Sequence, residues 1–252
     1  MIPKIIHYCW YGDKKISHKA EKCIASWNKY CPEYQIVKWD ESNTDFQRND
    51  ALYEAYKNKR WAFVSDIVRL LAVYDMGGIY MDTDVEIIRS IDDLLDNHCY
   101  FGFENKYRIN TGHGFGAEPG NQIIGDMIKE YGNITFCDSK NRFKIIACSI
   151  INTQVLKRIG LQEEDRRQTL LGAVEVYPSD YFCPQNYQTG KTECTPNTYS
   201  IHHYEGSWLP IKLRLKLYYF HMIGERGRRI HLKIKALCKR IPQMYKRTAD
   251  KV

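Results

Sequence analysis

Between Trp61 and Asp84 the hydrophobic period changes within a few residues, and this change constrains the fold more than any other feature of the chain. Phe63, Val64, Ile67, Val68, Leu70, Leu71, Val73 and Tyr74 fall at helical spacing and predict a helix over Trp61–Met76 with a wide buried face. Gly77-Gly78 ends it, because glycine takes the left-handed backbone that closes a helix, and Ile79-Tyr80-Met81 reads as a short buried strand. Asp82 and Asp84 stand where that strand runs out. In an open α/β sheet the ligand crevice lies beyond the carboxyl ends of the strands, so both carboxylates are expected in a binding site and not in the core. Alternation in an extended segment predicts that Asp82 and Asp84 point one way and Thr83 the other. Asp66 and Arg69, three residues apart, share a helix face. Hard oxygen ligands at the Asp-x-Asp spacing suit Mg2+ or Mn2+, which draw their remaining ligands from substrate phosphates.

Elsewhere, a surface helix over His18 to Tyr30 has Ala20, Cys23, Ile24 and Trp27 as its buried stripe, and a strand follows over Tyr34 to Trp39. Asp40 to Asp50 is a polar loop, Asn49 to Asn58 a short helix, Tyr100 to Glu104 and Gly112 to Ala117 are strands, and Asn121 to Tyr131 is a helix between Gly120 and Gly132. Strand and helix signals alternate through Ala117, which predicts an α/β domain with a mostly parallel sheet and helices on both faces.

Charge divides the chain. Residues 211–252 hold thirteen Lys or Arg against Glu225 and Asp250, a net of +11, so residues 1–210 carry −4 of the overall +7. We therefore expect one domain over 1–210 and a basic extension over 211–252. In the extension Ile211, Leu213, Leu215 and Leu217 alternate with Lys212, Arg214 and Lys216, and Ile230, Ile234, Leu237, Cys238 and Ile241 recur at helical intervals. The second stretch reads as a basic amphipathic helix for an anionic membrane surface. No zinc-finger, homeodomain or RNA-binding signature accompanies the charge, so nucleic acid is not the expected partner. The nine cysteines are odd in number and include no Cys-x-x-Cys pair, which disfavours a zinc site or disulfide framework and suits reduced thiols. With no leader pattern and no run of the roughly 20 apolar residues that a span requires, the expected location is cytoplasmic and peripheral to the membrane.

Ser65-Asp66-x-x-Arg69 followed by Gly77-Gly78-x-Tyr80-x-Asp82-x-Asp84 resembles the DXD glycosyltransferases that use sugar nucleotides, of the family 32 type that includes yeast initiating mannosyltransferases and bacterial capsular-polysaccharide transferases. Ile2 to Gly12 resembles that family's first strand, Asn110-Thr111-Gly112 its middle motif, and Ile201 to Trp208 its closing motif, all in the family's order. The resemblance covers about the first 210 residues and implies the GT-A fold.

It also implies roles. Asp84 would bind Mn2+ or Mg2+, with Asp82 on the ribose or bridging to the metal through water, and His202 would complete the site. Because His202 and His203 follow a strand signal at Tyr199-Ser200-Ile201, their side chains should point to opposite faces, so only one reaches the metal. Asp66 and Arg69 would lie beside the donor sugar, Asn110 would hold it, Trp10 would stack on the nucleotide base, and Ser207 and Trp208 would close over the diphosphate. Asn152-Thr153-Gln154 matches only loosely a group on the reacting face. The implied reaction moves a hexose from a nucleotide diphosphosugar, a UDP-sugar favoured over GDP-mannose, to a hydroxyl of a glycan or lipid-linked oligosaccharide, with retention, in cell-surface polysaccharide synthesis.

Two rivals share parts of this pattern. A strand followed by Asp82-Thr83-Asp84-Val85 also suits aspartate-nucleophile phosphatases, which leaves Arg69, the double glycine and His202 unexplained. A non-enzymatic glycan- or membrane-binding module would make the basic extension the function.

Overall fold

The structure, a computed structural model, describes residues 1–132, 147–206 and 211–249, with the backbone alone at 217 and 232–249. Its contacts divide into two units. The first comprises Met1–Pro184 with Glu193–Glu205, and the second Gln185–Thr192 with Gly206–Val252.

The first unit begins with β1 (Ile5–Cys9), α1 (His18–Tyr30) and β2 (Gln35–Trp39), followed by α2 (Asp50–Lys57), α3 (Trp61–Met76), β3 (Gly78–Tyr80) and β4 (Val85–Ile87). It continues through β5 (Cys99–Asn105), β6 (Arg108–Ile109), β7 (Phe115–Ala117), α4 (Gln122–Gly132), α5 (Cys148–Arg158), β8 (Gln168–Leu170), β9 (Val174–Tyr177) and β10 (Ser200–His202). Eight strands form one sheet in the order β2-β1-β3-β7-β5-β9-β8, with β6 on β5, while β10 and β4 make a separate antiparallel pair. On that path β2, β1, β3, β5 and β9 share one direction, and β7 and β8 run against it. The mostly parallel α/β arrangement expected of the chain is the one it adopts. The reversed β7, between β3 and β5, is not legible in its residues.

Two apolar clusters carry the unit. One gathers Leu52, Val64, Ile67, Leu70, Phe101, Phe115, Ile124 and Met127 from α2, α3, α4 and their side of the sheet. The other gathers Ile6, Tyr8, Trp27, Ile79, Val85, Ile87, Tyr100 and Tyr199 around α1. Ser17 caps α1 through the Ala20 amide, and Ala20, Cys23 and Trp27 are its buried positions.

Three contacts set the strand end that matters. Gly77 closes α3 at φ 64°, where a Cβ would lie 2.8 Å from both Pro3 and Pro119. The Trp27 indole donates to the Val85 carbonyl at 2.8 Å, and the Ile87 amide donates to Ser26 Oγ at 2.9 Å, so α1 clamps β4 from behind. β3 is one residue earlier than expected, ending at Tyr80, although the Met81 amide still donates to the His7 carbonyl of β1 at 3.1 Å before the chain reaches Asp82.

The second unit holds α6 (Ile211–Ala249), which has non-helical backbone at Gly224 (φ 61°). Phe220 before that break packs edge-on against His231 after it, their rings 5.4 Å apart, and the Arg228 guanidinium lies 5.6 Å over Phe220. The His221 ring hydrogen-bonds the Tyr187 carbonyl at 3.0 Å. The alternating stretch 211–217 is helical from its first residue.

Candidate metal centre

Asp82 and Asp84 converge through a turn and not through strand alternation. The Val85 amide donates to the Asp82 carbonyl at 3.0 Å, so residues 82–85 fold into a tight turn between β3 and β4. β10 then pairs with β4 so that His202 lies opposite Val85. This brings His202 Nε2 to 3.3 Å from Asp84 Oδ1, while the next side chain, His203, turns to Glu86 at 2.8 Å. One ligand atom each from Asp82, Asp84 and His202 lie within 4.8 Å of one another, and these residues are the metal-capable group of three among the described residues.

Asp82 is held from three sides. Arg69 Nη2 donates to its Oδ1 at 3.1 Å and the Tyr80 hydroxyl donates to the same oxygen at 2.8 Å. Its backbone amide donates to the Gly112 carbonyl at 2.8 Å. Gly112 is there because nothing larger fits: a Cβ would stand 2.3 Å from Asp82 Oδ2. Asn110 fixes this glycine by accepting its amide hydrogen at 2.7 Å, and donates to Glu104 at 3.1 Å.

Arg69 is 4% exposed and largely committed to protein partners. Nη2 reaches Asp66 at 3.0 Å as well as Asp82, Nε donates to the Ser65 carbonyl at 3.2 Å, and the guanidinium lies 4.8 Å over the Tyr80 ring. The Asp66–Arg69 pair expected from helical spacing therefore extends to the Asp-x-Asp turn. In this arrangement Arg69 orients Asp82, with little of it left for a ligand.

The electrostatics follow from burial and charge. Burial pushes Asp84 up, but His202 and the Glu205 amide, which donates to Oδ2 at 2.9 Å, outweigh it and hold the carboxyl at about 2. Burial likewise disfavours the His202 imidazolium, yet Asp84 beside it raises that group well above its ordinary value. Asp82 is raised by burial, opposed by Arg69 and helped by Asp84. Asp66 is pushed up to about 6 by burial, against the pull of Arg69. Two carboxylates and an imidazole thus stand together, a donor set of the kind that holds a divalent cation. The mix of oxygen and nitrogen donors fits Mn2+, and fits Mg2+ less well.

Other expected residues are placed as follows. Trp10 is half-buried after β1, with its ring N–H spent on the Lys14 carbonyl at 2.6 Å. Asn152 is buried and donates to Thr111 at 2.9 Å, which makes it a brace behind the turn. Ser207 and Trp208 lie outside the described residues.

Of the other neighbours, Tyr204 stands inside the closing stretch Ile201 to Trp208, while His113, Glu104 and Cys148 carried no functional signal in the sequence. The Tyr204 ring lies 4.2 Å from that of His202, and His113, fully buried and pushed down to about 3 by burial, has its ring 6.3 Å from His202. Asn110 also meets Glu104, at the end of β5, and Cys148, at the start of α5. Tyr80 was findable, since it stands two residues before Asp82.

Residues 17–101 match the family model described as the glycosyltransferase sugar-binding region containing the DXD motif. Within that segment Asp82-Thr83-Asp84 is the one Asp-x-Asp. It is the region's DXD motif. Among curated proteins, 104 residues of the chain are 36% identical to inositol phosphoceramide mannosyltransferase 3 of Schizosaccharomyces pombe. That match covers 37% of this chain and 27% of the yeast protein, so the chain aligns with about a quarter of its relative's length. Among solved structures, PaToxG glycosyltransferase is similar at TM-score 0.49 and 18% identity, covering 62% of this chain and 68% of that one. A glycosyltransferase involved in glycosylation of the major capsid of PBCV-1 is similar at TM-score 0.46 and 14% identity, over 87% and 100% of the two chains.

Proposed function

We propose that this chain is a metal-dependent glycosyltransferase that moves a hexose from a nucleotide diphosphosugar to a hydroxyl of a glycan or lipid-linked acceptor. The observation that carries the reading is the meeting of Asp82, Asp84 and His202 within 4.8 Å, inside a segment that matches a DXD sugar-binding region. Asp84 and His202 hold Mn2+ or Mg2+, and Asp82 completes the set directly or through water. When bound, the ion supplies Lewis-acid neutralisation of the charge that develops on the departing nucleoside diphosphate.

The remaining work belongs to side chains of the chain itself. Arg69 and the Tyr80 hydroxyl fix Asp82 through its Oδ1, a positioning that costs no reorganisation during reaction. Asp66, on the same guanidinium, is the group we place beside the donor sugar, where a carboxylate accepts from hydroxyls. Trp10 offers a flat ring for the base, and stacking of that kind contributes about 1–3 kcal/mol. We assign retention of configuration by front-face attack, in which the leaving phosphate oxygen takes the acceptor proton and the enzyme supplies position.

A phosphatase reading needs Asp82 as a free nucleophile. Its Oδ1 accepts two hydrogen bonds and its Oδ2 is pressed against Gly112, which favours a positioned ligand instead.

The yeast relative is by name a mannosyltransferase acting on inositol phosphoceramide, a lipid. This supports testing GDP-mannose beside UDP-sugars, and supports a lipid-borne acceptor met at an anionic membrane surface through residues 211–252. We place the reaction on the cytoplasmic side, in cell-surface polysaccharide synthesis. Among the described residues no helix is long and apolar enough to cross a membrane.

The test is incubation with Mn2+ and a panel of UDP- and GDP-sugars, with release of nucleoside diphosphate or free sugar measured. Release by the wild type that is lost with chelator and in Asp84→Ala supports the reading. No release from any donor, with phosphate monoesters hydrolysed instead, refutes it.

A further inference from the structure

We propose that the segment seating this protein on an anionic lipid surface is the first stretch of α6, through a stripe made of Ile211, Leu215, Tyr218 and Met222. The inference rests on the membrane contact proposed above and moves it from residues 230–241, where helical periodicity alone put it, to residues before the Gly224 break.

Spacings of four, three and four residues place these side chains in one line along a helix. All four are large and apolar or amphipathic, and they are 64%, 60%, 66% and 71% exposed. The opposite face of the same stretch is occupied within its own unit: Phe220 is 6% exposed, with Lys216 and Arg228 each 5.6 Å over its ring. Arg228 also donates to Gln188. Phe220 on one side of the stretch is thus buried, with Leu213 beside it 41% exposed, and the stripe on the other side presents its apolar side chains to solvent.

Charge identifies what covers that face. Lys212 and Arg214 project on either side of the stripe, roughly 70–90° from its midline at 100° per residue. Across 211–231 there are six Lys or Arg against Glu225 alone. A second copy laid stripe to stripe would bring these like charges together, whereas an anionic bilayer neutralises Lys212 and Arg214 while accepting the apolar line between them. Tyr218 suits the level of the headgroups, with its ring in the apolar layer and its hydroxyl in water.

The experiment is flotation of the full-length protein with vesicles of phosphatidylcholine alone and of phosphatidylcholine mixed with phosphatidylglycerol. Wild type, the double variant Leu215→Ala/Met222→Ala and the double variant Lys212→Glu/Arg214→Glu are compared, with far-ultraviolet dichroism and Mn2+-dependent donor hydrolysis as controls for folding. The expected result is binding of wild type to phosphatidylglycerol vesicles and weak binding to phosphatidylcholine. Each double variant should bind the anionic vesicles at least roughly tenfold more weakly, since each removes one of the two contributions a peripheral helix depends on.

Unchanged binding by both variants overturns the stripe while leaving a membrane contact elsewhere in 211–252. No binding of the wild type to either vesicle overturns the stripe and the membrane reading together. A concentration-dependent dimer that Leu215→Ala/Met222→Ala dissolves, seen by sedimentation without lipid, overturns the lipid assignment in favour of a second copy.

Discussion

Replacing Gly112 with alanine adds one carbon at the place where the Asp-x-Asp turn has least room. The new Cβ would stand 2.3 Å from Asp82 Oδ2 and 3.1 Å from Asn110 Oδ1, so the carboxylate has to move by about 1 Å to reach ordinary contact. Gly112 is not in the left-handed region, so the backbone itself tolerates the change and the effect isolates the close approach. The carboxyl end of a short side chain can usually yield, but this one is pinned by Arg69 at 3.1 Å and Tyr80 at 2.8 Å. Moving it lengthens at least one charge-assisted hydrogen bond, a loss of about 1.5–3 kcal/mol. In a chain of this size about 2 kcal/mol corresponds to roughly 4–8 °C in melting temperature. Displacing a metal-site carboxylate through its support also weakens metal binding, by the 10–100-fold typical of partners outside the ligand set. Thermal melting and Mn2+ titration by calorimetry read the two effects separately. A Gly112→Ala protein that melts and binds Mn2+ like the wild type would mean that Asp82 is not confined, and the account of how the turn is organised would fail.

Three further predictions follow from the same geometry. His202→Ala should lose Mn2+ affinity by more than about tenfold while His203→Ala, whose ring faces Glu86, retains it, and equal losses in calorimetry would contradict the assignment of faces. Tyr80→Phe should lower stability by about 1.5–3 kcal/mol through the lost bond to Asp82, and a denaturant midpoint identical to wild type would show that the bond is not made. Asp66 is raised by burial to about 6, which makes the folded state hold its proton more tightly than the unfolded one. Its contribution to metal-free stability is therefore complete below about pH 4 and is lost as pH rises through about 6, and Asp66→Asn should flatten that part of a melting-temperature profile recorded in chelator. Wild-type and Asp66→Asn profiles that run parallel over the same interval would contradict the direction.

Much of the framework was legible because it depends on period. The α3 stripe, the double glycine and the strand after it are local patterns, and they place Asp82 and Asp84 at a strand end whatever the rest of the chain does. Strand direction is not local: the residues of β7 carry no mark of the reversal that sets it antiparallel to both β3 and β5. Convergence of the two aspartates was expected from alternation and is produced by a turn instead, because the chain reverses between Asp82 and Val85, whose amide donates back to the Asp82 carbonyl. The spacing of Asp66 and Arg69 announced an ion pair, yet the second carboxylate on that guanidinium comes from thirteen residues further on and depends on how α3 packs over β3. Glu104 and Asn152 brace the site from elements with no distinguishing pattern of their own. Period also misleads in α6, where Ile211, Leu213 and Leu215 alternate with cations, since on a helix residues two apart project about 200° from each other and so fall on opposite faces.

The most direct test of the central claim is to locate the metal. Crystals grown or soaked with Mn2+ and a nucleoside diphosphate, UDP in one set and GDP in another, should show an anomalous scattering peak bounded by Asp84, His202 and Asp82, with the diphosphate on its open side. A peak elsewhere, or a nucleotide bound with Asp84 still paired to His202 and no cation between them, would contradict the account.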